Sequence, residues 1–152
     1  MKKTIWLALV AALCLAWSGL AWAESPDEAK GDVQKAIAMV KEKGVDATLK
    51  AIADPQGPFA KGELYVFAGA LDKVIMVAHP YKPDLVNKDL TVFKDTKGKQ
   101  FFNEFVQVAK NKGSGWVDYY WPKPGAKEPV LKSTYVERVP DQNLYFGAGV
   151  YK

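Results

Sequence analysis

The stretch WVDYYWPKPGAKEPVLKSTYVERVPDQNLYFGAGVY, Trp116–Tyr151, decides the fold. It holds three runs rich in β-branched and aromatic residues: Trp116–Trp121, Leu131–Val139 and Leu144–Tyr151. Pro122-Lys123-Pro124-Gly125 separates the first two and Pro140-Asp141 the last two. Runs of this kind, bounded by Pro, Gly and Asp, read as strands joined by turns. Their connections are of hairpin length, so neighbouring strands run antiparallel.

Working back towards the N-terminus, Phe101, Phe102, Phe105, Val106 and Ala109 recur at helical spacing, and Lys110, Lys112 and Gly113 close that helix. Phe93–Lys99 carries the Asp…Gly chemistry of a tight turn, at Asp95 and Gly98. Leu64–Ala68 and Val74–Ala78 are two further β-rich runs joined by Gly69–Lys73, and His79-Pro80-Tyr81-Lys82-Pro83 opens a loop after them. Ala29, Val33, Ala36, Ile37 and Val40 mark an amphipathic helix that Gly44 ends or bends. Val45, Leu49 and Ile52 extend the helical pattern to Asp54, where Pro55-Gln56-Gly57-Pro58 stops it. No βαβ alternation appears. The expected class is α+β: an antiparallel sheet of about five strands, a long N-terminal helix on one face, a shorter helix with loops on the other.

The first 23 residues read separately. Lys2 and Lys3 precede an uncharged stretch from Ile5 to Trp22, which closes on Ala21-Trp22-Ala23 before charge returns at Glu24. This is the layout of a secretory signal cleaved after Ala23. An uncleaved anchor is the rival, because a span needs about 18–20 apolar residues. Leu13 before Cys14 does not fit a lipoprotein site. Cleavage leaves one domain, residues 24–152, in the periplasm or outside the cell, without cysteine and without a later apolar span. Losing Lys2 and Lys3 from 21 basic residues leaves 19 against 17 acidic ones, a net charge of +2. That balance makes no case for nucleic acid or an anionic membrane.

Several segments resemble a known family. They are Tyr65-Val66-Phe67, Val77-Ala78-His79-Pro80, Leu85–Leu90, Asp95–Lys99, Gly115–Pro124, Lys132–Val136 and Gly147–Tyr151. In order and spacing they are similar to the single Cache domain, type 2, an extracytoplasmic sensory module with a PAS-like antiparallel sheet. The resemblance covers nearly all of residues 24–152, and Gly-Trp-Val-Asp-Tyr-x-Trp-Pro-Lys-Pro is its most specific part. It implies a pocket for a small ligand between sheet and loops, often a short carboxylate such as acetate, propionate or pyruvate. Asn87 stands where the family usually has Gly, a position suited to left-handed backbone. Members in receptors continue from the last strand into a membrane helix. The sequence ends at Lys152, so transmembrane signalling is expected to need a receptor or other signalling partner.

The residues expected at the pocket follow from this resemblance together with residue chemistry. His79, the single histidine, has a side chain whose charge changes near neutral pH, and reads as a donor to a carboxylate or as a strand-end residue bonded to backbone. Lys132 reads as a counter-charge in a partly dry pocket or as an edge-strand lysine that blocks aggregation. Strict alternation puts Trp116, Asp118 and Tyr120 on one face and Val117, Tyr119 and Trp121 on the other. Family position favours both Trp116 and Tyr119, a conflict of parity that a bulge would relieve. Lys132 and Tyr135 conflict in the same way. Tyr65, Phe67 and Arg138 are secondary candidates.

Catalytic signatures are missing. Residues 24–152 hold no cysteine nucleophile, no Gly-x-Ser-x-Gly elbow and one histidine, too few for a multi-histidine metal site. The expectation is a binding module without cofactor or metal, not an enzyme, with a small organic ligand as its partner. The alternative is an interaction module that docks on a membrane receptor or enzyme and keeps a vestigial pocket.

Overall fold

The computed structural model describes residues 24–152. The expected leader, with its expected cleavage site and Cys14, lies outside the described residues. Helix α1, Pro26–Lys43, begins at a capping box. The Ser25 hydroxyl accepts the Glu28 N–H at 3.2 Å, and the Glu28 carboxylate accepts the Ser25 N–H at 2.8 Å. These bonds satisfy amides that the first helical turn leaves free, and Pro26 loses nothing there because its position lacks a partner anyway. Gly44, at φ 85°, breaks the helix and starts α2, Val45–Ala53.

Six strands follow: β1 (Ala60–Lys61), β2 (Leu64–Ala70), β3 (Met76–Ala78), β4 (Ser114–Pro122), β5 (Pro129–Arg138) and β6 (Leu144–Tyr151). Helix α3, Phe101–Lys112, lies between β3 and β4. The sheet order is β1-β2-β6-β5-β4, every pair of named strands is antiparallel, and β3 also pairs with β2. This is the α+β architecture expected from the chain, with the two-residue β1 added at one end.

Alternation along the strands builds two cores. Leu64, Val66 and Ala68 of β2, with Phe146, Ala148 and Val150 of β6, meet Ala29, Val33, Ala36 and Ile37 of α1. Tyr65 and Phe67, with Tyr145, Val117, Tyr119 and Trp121, meet Phe101, Phe102 and Phe105 of α3. Two glycines of β6 belong to this second face. A Cβ on Gly147 would lie 2.6 Å from the Phe67 ring, and one on Gly149 would lie 2.9 Å from Cε of Lys132. Larger residues at either point would fill the space those side chains use.

β4 is a sheet edge, and the Asp95 turn covers part of it. The Asp95 carboxylate accepts N–H groups from Lys97 and Lys99 within its own turn, each at 2.9 Å, and from Tyr120 of β4 at 3.0 Å. Lys99 Nζ donates to the Asp118 carbonyl at 2.7 Å. Occupied in this way, that part of the edge cannot template a further strand. At the other end of the sheet, the Glu24 carboxylate accepts the Leu64 N–H at 2.7 Å and ties the approach to α1 onto β2. Asn87 is left-handed at φ 61°, as its place in the sequence implied.

Candidate ligand-binding site

Lys132 lies on β5 between two tyrosines, with Tyr119 of β4 and Tyr151 of β6 as its cross-strand partners. Its side chain runs over Gly149 into the aromatic core beneath α3 and is fully buried. Among the described residues, its Nζ is the buried side-chain nitrogen or oxygen with no hydrogen-bond partner. Two rings face it instead: Tyr65, with its centroid 3.9 Å from Nζ, and Tyr151, at 4.7 Å. A ring face attracts a cation but does not replace the hydrogen bonds that an ammonium loses on leaving water.

His79 follows β3 and is 3% exposed. Its Nδ1 accepts the N–H groups of Tyr81 and Lys82, both at 3.1 Å. Two donors at Nδ1 require its lone pair, which assigns the ring proton to Nε2. Burial, with the positive charges of Lys132 and Lys82, pushes the imidazole pKa down from 6.5 to about 3. The ring is therefore a neutral donor throughout the physiological range, a correction to the near-neutral titration expected from sequence. It packs against Tyr65 at 5.0 Å and stacks on Phe67 at 6.0 Å.

Tyr119 shares a hydrogen bond of 3.0 Å with Thr134, and burial pushes its hydroxyl pKa well up. Phe101 stacks on its ring at 4.2 Å, and Phe105 meets it edge-on at 5.2 Å. Two small cavities open beside these groups. The inner one, about 10 Å³, is apolar and walled mainly by Phe67, Met76, Phe101, Phe102, Phe105 and Tyr119. The outer one, about 50 Å³, lies under the turn Pro122–Ala126, beside Tyr81 and Lys82. Tyr65, His79 and Trp121 line both. No acidic side chain lines either cavity, so the local charge is positive.

The structure thus brings Tyr65, Phe67, His79, Tyr119 and Lys132 together on one face of the sheet. It places the other three candidates elsewhere. β4 and β5 pair in unbroken register from Ser114↔Glu137 to Pro122↔Pro129, so no bulge relieves the parity conflicts. Trp116 is 41% exposed on the opposite face, packed on Tyr135 at 5.4 Å. Tyr135 joins the α1 core and donates its hydroxyl to Glu137 at 2.8 Å. Arg138 is exposed and borders an open surface groove with Asp72, Lys110 and Asp141. Trp121, rather than Trp116, walls the cavities. Trp121, Tyr151, Phe101 and Met76 were not singled out from sequence. Alternation puts Trp121 with Tyr119, and the pattern Tyr145-x-Gly147-x-Gly149-x-Tyr151 marks a face with cleared space. The described residues contain no cluster of metal-binding side chains and no helix long and apolar enough to cross a membrane.

A PAS-like sheet with a long helix behind it, and a small aromatic pocket beside a buried cation in front, defines a sensory-domain class. Within that class the chain belongs to the Cache domain family, whose model dCache_2 matches residues 29–152. It is similar to the methyl-accepting chemotaxis protein McpP of Pseudomonas putida, 42% identical over 76 residues. That match covers 50% of this chain and 14% of the receptor. Among solved structures it is similar to a "Periplasmic sensor domain of chemotaxis protein", at 32% identity and TM-score 0.65, covering 82% of this chain and 88% of that one. A second is described as "Structural basis for carboxylic acid recognition by a Cache chemosensory domain". It has 34% identity and TM-score 0.65, with 82% and 86% covered. A methyl-accepting chemotaxis protein from Vibrio parahaemolyticus shares the fold at TM-score 0.69 and 22% identity, with 82% and 86% covered.

Proposed function

We propose that this Cache domain is an extracytoplasmic sensor that binds a small organic anion, a short carboxylate, and reports occupancy to a membrane receptor or signalling partner. The observation that carries the reading is Lys132 Nζ, buried with no acceptor and no acid lining the adjoining cavities. Burying an ammonium forfeits several kcal/mol of hydration unless an anion or acceptor replaces the water. A carboxylate supplies both charge and acceptors. The Nε2–H of His79 and the hydroxyls of Tyr119 and Tyr65 are neutral donors for its remaining lone pairs, and the phenylalanines suit a short apolar tail. The solved relative whose description names carboxylic acid recognition supports the same ligand class. Nothing in this arrangement activates a nucleophile or moves a proton, so the reading is one of binding without catalysis. Export by the leader, with cleavage after Ala23, belongs to the same proposal.

Thermal-shift measurements with acetate, propionate and pyruvate test it. A ligand at a hundredfold excess over Kd stabilises by about 2.7 kcal/mol, and Lys132→Met should remove the shift. Equal shifts in the wild type and in Lys132→Met would sink the assignment. Failure of all three to stabilise the protein, together with co-purification of a membrane protein through exposed Trp116, would favour a docking module with a vestigial pocket.

A further inference from the structure

Lys132 is the natural seat for an anion, yet it lines neither cavity, and its Nζ is sealed from both. The inner cavity has room for about one water. An anion therefore reaches Nζ only if one of the two rings over it moves. Tyr151 is the fastened ring. Its hydroxyl donates to the Pro122 carbonyl at 2.9 Å, Lys123 Nζ lies over the ring 5.5 Å from its centroid, and it lines neither cavity. Tyr65 is the nearer ring, at 3.9 Å, and it borders both cavities, with the larger one beside it as free volume.

We propose that Tyr65 is a movable partition and the residue that sets ligand size. Its ring holds the anion's place against Lys132 in the empty protein, and turning it aside joins the two cavities into one chamber. This rests on the anion reading above and adds the step by which the site opens. Binding exchanges one cation–ring contact for an ion pair, so the empty state keeps the ammonium partly compensated. The exchange also makes occupancy a displacement of a β2 side chain. That side chain packs at 5.0 Å on His79 and edge-on at 5.1 Å on Tyr81, so its movement is felt at the loop after β3. Tyr65 thereby limits the chamber: the longer the acid, the further the ring must travel.

Calorimetric titration of the full chain with acetate, butyrate and iodide tests this in the wild type, Tyr65→Phe, Tyr65→Ala and Lys132→Met. Tyr65→Leu replaces Tyr65→Ala if the latter loses its cooperative melting transition. Truncating the ring should shift the butyrate-to-acetate affinity ratio by about tenfold or more towards butyrate, the scale expected when pocket space changes by methylenes. Tyr65→Phe should keep the wild-type ratio, because the ring remains. A merely structural role would weaken both acids alike and leave the ratio in place. If the ratio stays within about twofold of wild type after truncation while Lys132→Met abolishes binding, the partition is wrong and the anion site stands. If Lys132→Met binds as wild type does, the anion site itself is wrong. If no probe binds the truncated variant, both are overturned, since removing the ring must expose Lys132 to small anions.

Discussion

Gly149 and Lys132 sit on adjacent strands so that the missing side chain of the first is the channel for the second. A Cβ on Gly149 would stand 2.9 Å from Cε of Lys132 and 2.6 Å from the Ser133 carbonyl, and would collide with the Thr134 hydroxyl. The carbonyl is backbone held in the β5 ladder and cannot give way. Gly149→Ala should therefore destabilise the domain by about 1–3 kcal/mol, the usual scale of overpacking. It should also shift the lysine and weaken carboxylate binding beyond that loss. Denaturant melts and ligand titration of the same variant check both.

Replacing Lys132 separates binding from folding. Exchanging a buried ion for an apolar side chain of similar volume is often neutral or stabilising by about 1–4 kcal/mol. Lys132→Met, without ligand, should melt at or above the wild-type temperature while losing its response to acids. A large drop in unliganded stability would mark the lysine as structural instead.

His79 gives the molecule an acid-side signature. Its folded pKa, about 3, lies below the ordinary 6.5, so the unfolded chain takes up a proton between those values that the native ring refuses. Stability contributed by this residue is full above pH 6.5 and declines as the pH falls towards 3, by at most about 1.4 kcal/mol per pH unit. His79→Asn keeps an acceptor for the Tyr81 and Lys82 amides but removes the titration. The wild-type minus His79→Asn difference should slope through that window and be flat from pH 7 to 8. Parallel profiles would refute the assignment.

Asp95 guards the β4 edge. Burial pushes its carboxyl up, but bonds from Tyr120, Lys99 and Lys97 outweigh this and hold it below the usual range. The stability it adds is present above its ordinary pKa and is lost as the pH falls through the depressed one. Asp95→Ala should lower stability by about 2 kcal/mol and raise self-association on heating, read by light scattering. An unchanged midpoint would show that the turn holds without it.

Strand and helix positions were legible because the punctuation is strong: Pro55–Pro58, Gly113, Pro122–Gly125 and Pro140 all fall where elements stop. The two-residue β1 was too short to carry a periodic signal. Alternation sorted Tyr119 and Trp121 from Trp116 but could not say which set faced α3, since helix packing decides that. Family position drew Trp116 and Tyr135 towards the pocket, and the unbroken β4–β5 ladder turns them away. The depressed histidine was not legible either, because its cause is tertiary: rings and a lysine that the chain brings together from distant segments.

The bond from the Glu24 carboxylate to the Leu64 amide spans 40 positions in sequence and lands one residue before Tyr65. Glu24, two residues ahead of α1, is thus moored through a single side chain to the strand that carries the ring over the lysine. Tension on that mooring line and rotation of the ring draw on the same short piece of backbone. Each becomes a handle on the other.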